Sequence, residues 1–342
     1  MDPQALQRRR AERARERRRR RRRRQLAALG ALSGVAVVAV VIAVTALTGT
    51  RSPAHRSRAA ALAARGRGHG RGTARGRSGH PGRGGAGTRG SAIAVHIGPA
   101  TGHPGDVVAP ILMYHVINPP PPGAPYPGLY VPRTEFLAQM RALKSAGYHP
   151  VTLADLRENW TRGNRLPSKP IVITFDNGYR SQFTNARPIL HSLGWPAVLN
   201  TQLSGLPPSQ GGLTTGQLRG LLRDGWELET QGISHADLVD QDATELRYQI
   251  DHARAVLRRR FHVSVNWFCY PSGQYDPTVV AAVRAAGFVG STTVVPGWAQ
   301  RADNPYALPR LRVLGGTTPA QLLAQIADAR NDPVTPTAYV TS

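Results

Sequence analysis

Ile171-Val172-Ile173-Thr174-Phe175-Asp176-Asn177-Gly178-Tyr179 is a β-branched, apolar run that delivers a carboxylate and then a glycine. Such a run reads as a buried strand of an α/β protein, and its abrupt polar end reads as the rim of a site. Asp176 is therefore a candidate base, although Asp-Asn-Gly taken alone is equally turn chemistry. Outward from this stretch, short β-rich runs alternate with amphipathic segments from about Val107 onward. Strands are predicted over 107–117, 171–175, 197–202, 226–231, 265–270 and 289–294. Helices are predicted near 134–146, 184–193, 215–224, 243–260, 277–286 and 319–329. This alternation implies an α/β fold with a mostly parallel sheet or barrel, whose strand C-termini carry the site.

Helix boundaries carry their own chemistry. Thr214 with Gln217, Asp242 with Glu245 and Thr318 with Gln321 have capping-box spacing. Pro277 and Pro319 stand where a first helical residue tolerates the missing N–H. Gly147, Gly194, Gly225 and Gly287 follow helical runs, as C-terminal caps do. Pro119 to Pro122 begin a loop expected to be extended beside a cleft.

Charge divides the chain. Before Asp106 there are 23 arginines against three acids, and the remainder holds 21 Lys and Arg against 17 Asp and Glu. Residues 1–25 read as a basic cytoplasmic segment and 26–48 as a single membrane-spanning helix, since Leu26 to Leu47 is uncharged and about 20 apolar residues cross a bilayer. The Arg17 to Arg24 run beside it predicts a cytoplasmic N-terminus, hence a cell-membrane protein with its C-terminal domain outside. A cleaved signal peptide is the rival, with a shorter apolar core of about 7–15 residues. A basic run abutting such a span reads as a topology signal with affinity for anionic lipid, so no nucleic-acid partner is expected. Residues 49–105, rich in Arg, Gly, Ala and Ser, read as a disordered linker, because they bury too little to offset ordering entropy. The folded domain is expected over 106–342. Cys269 is the only cysteine, which excludes an intrachain disulfide.

Four further stretches bear on chemistry: Ile111-Leu112-Met113-Tyr114-His115-Val116-Ile117, Glu227 through His235 to Leu238, Phe268-Cys269-Tyr270-Pro271-Ser272-Gly273, and Tyr306-Ala307-Leu308-Pro309-Arg310-Leu311-Arg312-Val313. In this order, with the opening stretch, they resemble the polysaccharide deacetylase (NodB-homology, carbohydrate esterase family 4-like) family, and within it the branch acting on poly-N-acetylglucosamine. The resemblance covers roughly 107–315. It implies a distorted (β/α) barrel and hydrolysis of N-acetyl or O-acetyl groups on a cell-surface glycan, peptidoglycan or an N-acetylglucosamine polymer. It also implies Asp176 as base, His115 as acid, Arg310 orienting the base, and the Ser272 main-chain N–H receiving the oxyanion.

The resemblance further implies a divalent metal, zinc or cobalt, held by one Asp and two His. His235 matches one ligand, but Asn177 and Gln231 stand in the other two positions. Amide oxygens are weaker donors than carboxylate or imidazole. Glu227, Glu229 and Gln231 share a face if this segment is a strand, so Glu229 is a candidate replacement ligand, with pairing to an arginine as its plainer role. The alternatives are a metal-deficient, catalytically silent glycan-binding relative, and a metal-independent hydrolase using Asp176 and His115 alone, which would leave only a backbone donor for the carbonyl oxygen. Tyr126, Tyr130, Trp195, Trp226, Trp267, Tyr275 and Trp298 are candidate sugar-stacking faces, with core packing as the competing role of each.

Overall fold

The computed structural model describes residues 97–206 and 210–331. The predicted basic segment, the predicted span at 26–48 and most of the predicted linker lie outside the described residues. No helix among the described residues is long and apolar enough to cross a membrane.

Among the described residues nine strands form one sheet. They are β1 (Ala109–Tyr114), β2 (His149–Pro150), β3 (Pro170–Asn177), β4 (Val198–Thr201), β5 (Glu227–Thr230), β6 (Trp267–Cys269), β7 (Gly290–Thr292), β8 (Trp298–Ala299) and β9 (Leu311–Arg312). The main path runs β7-β6-β5-β4-β3-β1-β8, with β2 on β3 and β9 on β1. Among these described strands only β8 pairs antiparallel. The sheet curls into a half-barrel, and Leu308 to Arg312 runs from its β7 edge to β1: Leu308 bridges to Thr292 of β7, and Leu311 pairs with Leu112 of β1. The expected α/β barrel is thus observed as a curled, nearly all-parallel sheet.

Strand alternation sorts the core. Ile171, Ile173 and Phe175 of β3 point to the helix layer, while Val172 joins the interior cluster with Ile111, Val198 and Trp267. Phe175 stacks on Trp226 at 5.0 Å and lies 5.8 Å from Tyr114 and Phe136, so one aromatic cluster anchors β3, β1 and the first helix. The next inward positions after Val172 are Thr174 and Asp176, so a single parity carries β3 from apolar floor to polar rim.

The helices are α1 (Arg133–Ser145), α2 (Leu153–Arg162), α3 (Arg187–Leu193), α4 (Thr215–Arg223), α5 (Ala243–Arg247), α6 (Ala253–Phe261), α7 (Pro277–Ala285) and α8 (Pro319–Asn331). The boxes at Thr214 and Thr318 form, and Asp242 and Asp276 accept N–H bonds from the turns they cap. Gly147, Gly194, Gly225 and Gly287 all have positive φ. Helix α2 escaped the sequence pattern, although Thr152 and Asp155 close a capping box at its start. Asp in place of Glu or Gln at the third position hid that signal. Two predicted helices are interrupted, since π turns at Gln182–Ala186 and Tyr248–His252 precede α3 and α6.

One boundary moves. Gly98, Gly102 and Gly105, assigned to the linker by composition, donate main-chain bonds to Arg165, Arg162 and Asn159 at the end of α2. Composition registers side chains, whereas these residues are held by their backbones.

Candidate active site

The C-terminal ends of β1, β3 and β5, with the turn after β6, surround a cleft of about 590 Å³. Asp176 lies at its base, 1% exposed. Arg310 grips it with two parallel bonds, Nη1 to Oδ1 and Nη2 to Oδ2, each 2.8 Å. The guanidinium is itself fixed by Nε donating to the Thr293 carbonyl at 2.8 Å and Nη1 donating to Thr174 Oγ1 at 3.0 Å. Asn200 Nδ2 donates to Oδ1 at 2.9 Å, and the Cys269 thiol approaches Oδ2 at 3.5 Å. Burial alone pushes the Asp176 carboxyl up, but the Arg310 charge and hydrogen bonds outweigh it and hold the pKa at about 2. Burial pushes the Cys269 thiol up to about 12, so it stays protonated.

His115 Nε2 is 3.9 Å from Asp176 Oδ2. Burial lowers the His115 pKa to about 4; Asp176 opposes the shift, while Arg310, Arg312 and His235 add to it. The imidazole is neutral at pH 7. Gln182 Nε2 ties the two strands together by donating to the main-chain carbonyls of His115 and Asp176, at 2.8 and 2.6 Å.

Asn177 follows Asp176 directly, and in a regular strand the two would face opposite ways. Asn177 has φ 73°, which breaks the alternation and lets both line the cleft. His235 and Ser272 also line it at positive φ, 56° and 55°. Non-glycine residues in this region are uncommon and cluster at functional sites. The Ser272 N–H makes no hydrogen bond within the described residues, as a donor reserved for a ligand requires.

The predicted metal positions assemble differently. Gln202 Nε2 donates to the Ser204 carbonyl at 2.7 Å, so its Oε1 is left to accept from Asn177 Nδ2 at 2.8 Å. The Asn177 main-chain N–H donates to Gln231 Oε1 at 3.0 Å. Carbonyl and N–H anchors at the two ends fix every amide orientation in this chain. What reaches the cleft is Asn177 Oδ1, an acceptor, and Gln231 Nε2, a donor. A donor cannot ligate a cation. His235 and one neutral amide oxygen fall short of the roughly three N, S or carboxylate ligands a divalent site keeps, so these residues do not fit a metal. Among the described residues, no three His, Cys, Asp or Glu side chains gather to hold one.

Glu229 does not rebuild the site. Its face is the predicted one, but it does not line the cleft. Glu229 Oε2 accepts from the Trp267 N–H at 2.7 Å. Glu227 Oε2 accepts from the N–H groups of Leu153 and Ala154 at the start of α2. Glu229, buried, and Glu227, half-buried, thus lie together at the lower end of the sheet, because unpaired backbone donors are there. Burial raises both, Glu227 to about 7; the Glu227 charge pushes Glu229 further up, whereas a hydrogen bond from Glu229 and the N–H groups of Leu153 and Ala154 hold Glu227 back.

Asn200, Gln202 and Gln182 were missed as site residues. Val198-Leu199-Asn200-Thr201-Gln202 repeats the apolar-then-polar ending of β3, and that was the available signal. Of the stacking candidates, Trp226, Trp267 and Tyr275 are core, whereas Tyr126 is 70% exposed and lines the cleft. Pro119 to Pro122 are exposed and do not line it.

The profile of the polysaccharide deacetylase family matches residues 163–291. A Bacillus subtilis (strain 168) protein named as a polysaccharide deacetylase, YxkH, is 28% identical over 207 residues, which are 60% of this chain and 72% of that protein. The poly-beta-1,6-N-acetyl-D-glucosamine N-deacetylase of Escherichia coli (strain K12) is 46% identical over 67 residues, 19% of this chain and only 10% of that enzyme. The Streptococcus pyogenes deacetylase PplD, solved with acetate, superposes with a TM-score of 0.58 at 25% identity, covering 65% of this chain and 99% of that one.

Proposed function

This chain belongs to the polysaccharide deacetylase family, hydrolases acting on carbon–nitrogen bonds other than peptide bonds, and from that premise we propose that it removes acetyl groups from a cell-surface glycan. The observation that carries this reading is Asp176, buried yet ionised, clamped by Arg310 at the base of the cleft with His115 3.9 Å away. A clamped carboxylate has one orientation toward an attacking water, and orientation supplies much of the gain over bulk reaction.

In the reaction, the water oxygen bonds to the acetyl carbonyl carbon while Asp176 takes the water's proton. The electron pair displaced from the carbonyl gathers on its oxygen, where the Ser272 N–H receives it. Collapse breaks the C–N bond of an amide, or the C–O bond of an ester, and releases acetate. The leaving atom needs a proton. His115, neutral at rest, acts as its donor only after receiving the proton that the water gave up. Proton transfer through Asp176 and His115 therefore returns both to their starting states.

An N-acetylglucosamine polymer is the favoured substrate, supported by the E. coli relative's named activity and by Tyr126 as an exposed sugar-stacking face. The silent glycan-binding alternative gains no support from relatives named for deacetylation. Retention in the membrane through residues 26–48, with the domain outside, is supported by the uncharged run and its basic flank. The test is acetate release by the full-length chain in detergent from acetylated N-acetylglucosamine oligomers, peptidoglycan and acetylated xylan. Release that disappears in Asp176→Asn is expected; no release from any of them sinks the reading.

A further inference from the structure

The amide chain through Gln202, Asn177 and Gln231 ends in the cleft with two atoms lacking protein partners, and they are of opposite hydrogen-bonding type. We propose that this chain is a cation-independent acyl receptor: Gln231 Nε2 donates to the carbonyl oxygen of the bound acetyl group, joining the Ser272 N–H as a pair of neutral donors, and no divalent metal is required. The inference rests on the deacetylation reading for the identity of the ligand, and on the amide geometry for everything else.

Three observations carry it. First, the amide orientations are not free. Turning Gln231 to present its oxygen would set its NH₂ against the Asn177 N–H and leave both buried donors unpaired. Turning Asn177 would in the same way set its oxygen against Gln202 Oε1, which is held by the Ser204 carbonyl bond on the other side of that amide. Second, the side chain that presents the donor is 2% exposed, so its N–H acts where water is scarce and a hydrogen bond counts for more. Third, Asp176 Oδ1 already accepts from both Arg310 and Asn200, and Oδ2 from Arg310, so the carboxylate keeps room on Oδ2 for the water's proton but cannot grip a cation with both oxygens from below. Asn177 Oδ1, the acceptor beside the donor, takes a hydrogen bond from the attacking water and holds it near Asp176. A neutral donor pair of this kind is how hydrolases without metals stabilise an acyl oxyanion.

The test uses the full-length chain in detergent, dialysed against EDTA. Zinc alone, titrated calorimetrically, should give no saturable heat in the micromolar range, and the double variant Asn177→Asp with Gln231→His should acquire binding. In the ¹⁵N-labelled chain, the Gln231 side-chain NH₂ pair should shift when an N-acetylglucosamine oligomer is added. With EDTA present, Gln231→Glu keeps an acceptor for the Asn177 N–H but loses the donor. Its kcat should fall about a hundredfold, the order seen when one oxyanion donor is removed, with KM little changed.

Stoichiometric micromolar zinc binding that His235→Ala abolishes overturns the inference, as does acetate release that EDTA stops and zinc restores. An unmoved Gln231 amide with substrate bound overturns it too. Failure of the deacetylation reading looks different. No acetate would be released with or without metal, while zinc still failed to bind and the Gln231 amide still shifted, leaving the receptor intact and the hydrolysis refuted.

Discussion

A carboxylate held through two parallel bonds to a guanidinium is fixed in orientation as well as in charge, and Asp176 depends on both. Removing one partner of such a buried pair strands the other. Arg310→Ala should cost about 3–5 kcal/mol of stability in urea unfolding. Arg310→Lys should fold better yet lose roughly a hundredfold in acetate release, because a single ammonium cannot reproduce the fork. The pH profile follows from the same pair. With Asp176 at about 2 and His115 at about 4, the competent state, Asp176 ionised and His115 neutral, is populated above pH 5. Acetate release by kcat/KM should therefore be level from about pH 5 to neutrality and fall as pH drops through about 4. An acid limb near pH 6.5 would show that His115 is not desolvated as described.

At the scale of elements, β3 and β5 carry opposite kinds of burial. The end of β3 turns sharply: Gly178 has φ 89°, and a Cβ there would press on the Thr201 side chain of β4. Gly178→Ala should cost about 1–3 kcal/mol and misplace Asn177, read as lost activity in excess of lost stability. Strand β5 carries half-buried Glu227 and buried Glu229 on one face, both raised above an ordinary carboxylate. A carboxylate whose folded pKa is raised contributes stability below its unfolded pKa and loses it as pH rises through the folded value. For Glu227 the window runs from about 4.5 to about 7. Glu229→Gln retains an acceptor for the Trp267 N–H and removes the repulsion. It should melt higher than the parent at pH 8, by an amount worth on the order of 1 kcal/mol, and the difference should shrink toward pH 5. A difference independent of pH would refute the coupled pair.

For the whole molecule, the windows oppose one another. Lowered pKa values at His115 and Asp176 withdraw stability as pH falls below about 6.5 and about 3.8, while Glu227 withdraws it as pH rises toward about 7. The basic charge is a separate matter, because it sits mostly before residue 106. A chain lacking residues 1–48 should leave the membrane fraction in alkaline carbonate, and the full-length chain should stay in it. Extraction of both alike would remove the proposed anchor.

Sequence by itself determined the architecture. β-branched runs of strand length, capping boxes and glycines after helices are local signals, each with a local physical cause, and they place six strands of the sheet and most of the helices. They also mark Asp176, because the polar terminus of an apolar strand is visible as text, whereas His115, Arg310, Ser272 and His235 were implied by the family resemblance of their segments. Helix α2 was the local failure, since its box uses Asp155, and the two-residue strands β2, β8 and β9 are too short for any periodicity to register. Tertiary structure alone decided the chemistry of the site. Whether Gln231 offers oxygen or nitrogen depends on the Asn177 N–H, 54 positions away in the chain. Glu229 has the parity to face the cleft, yet its carboxylate turns to a donor 38 positions away on β6. Such choices rest on hydrogen-bond partners that only the closed sheet brings within reach, and desolvation makes each choice binding.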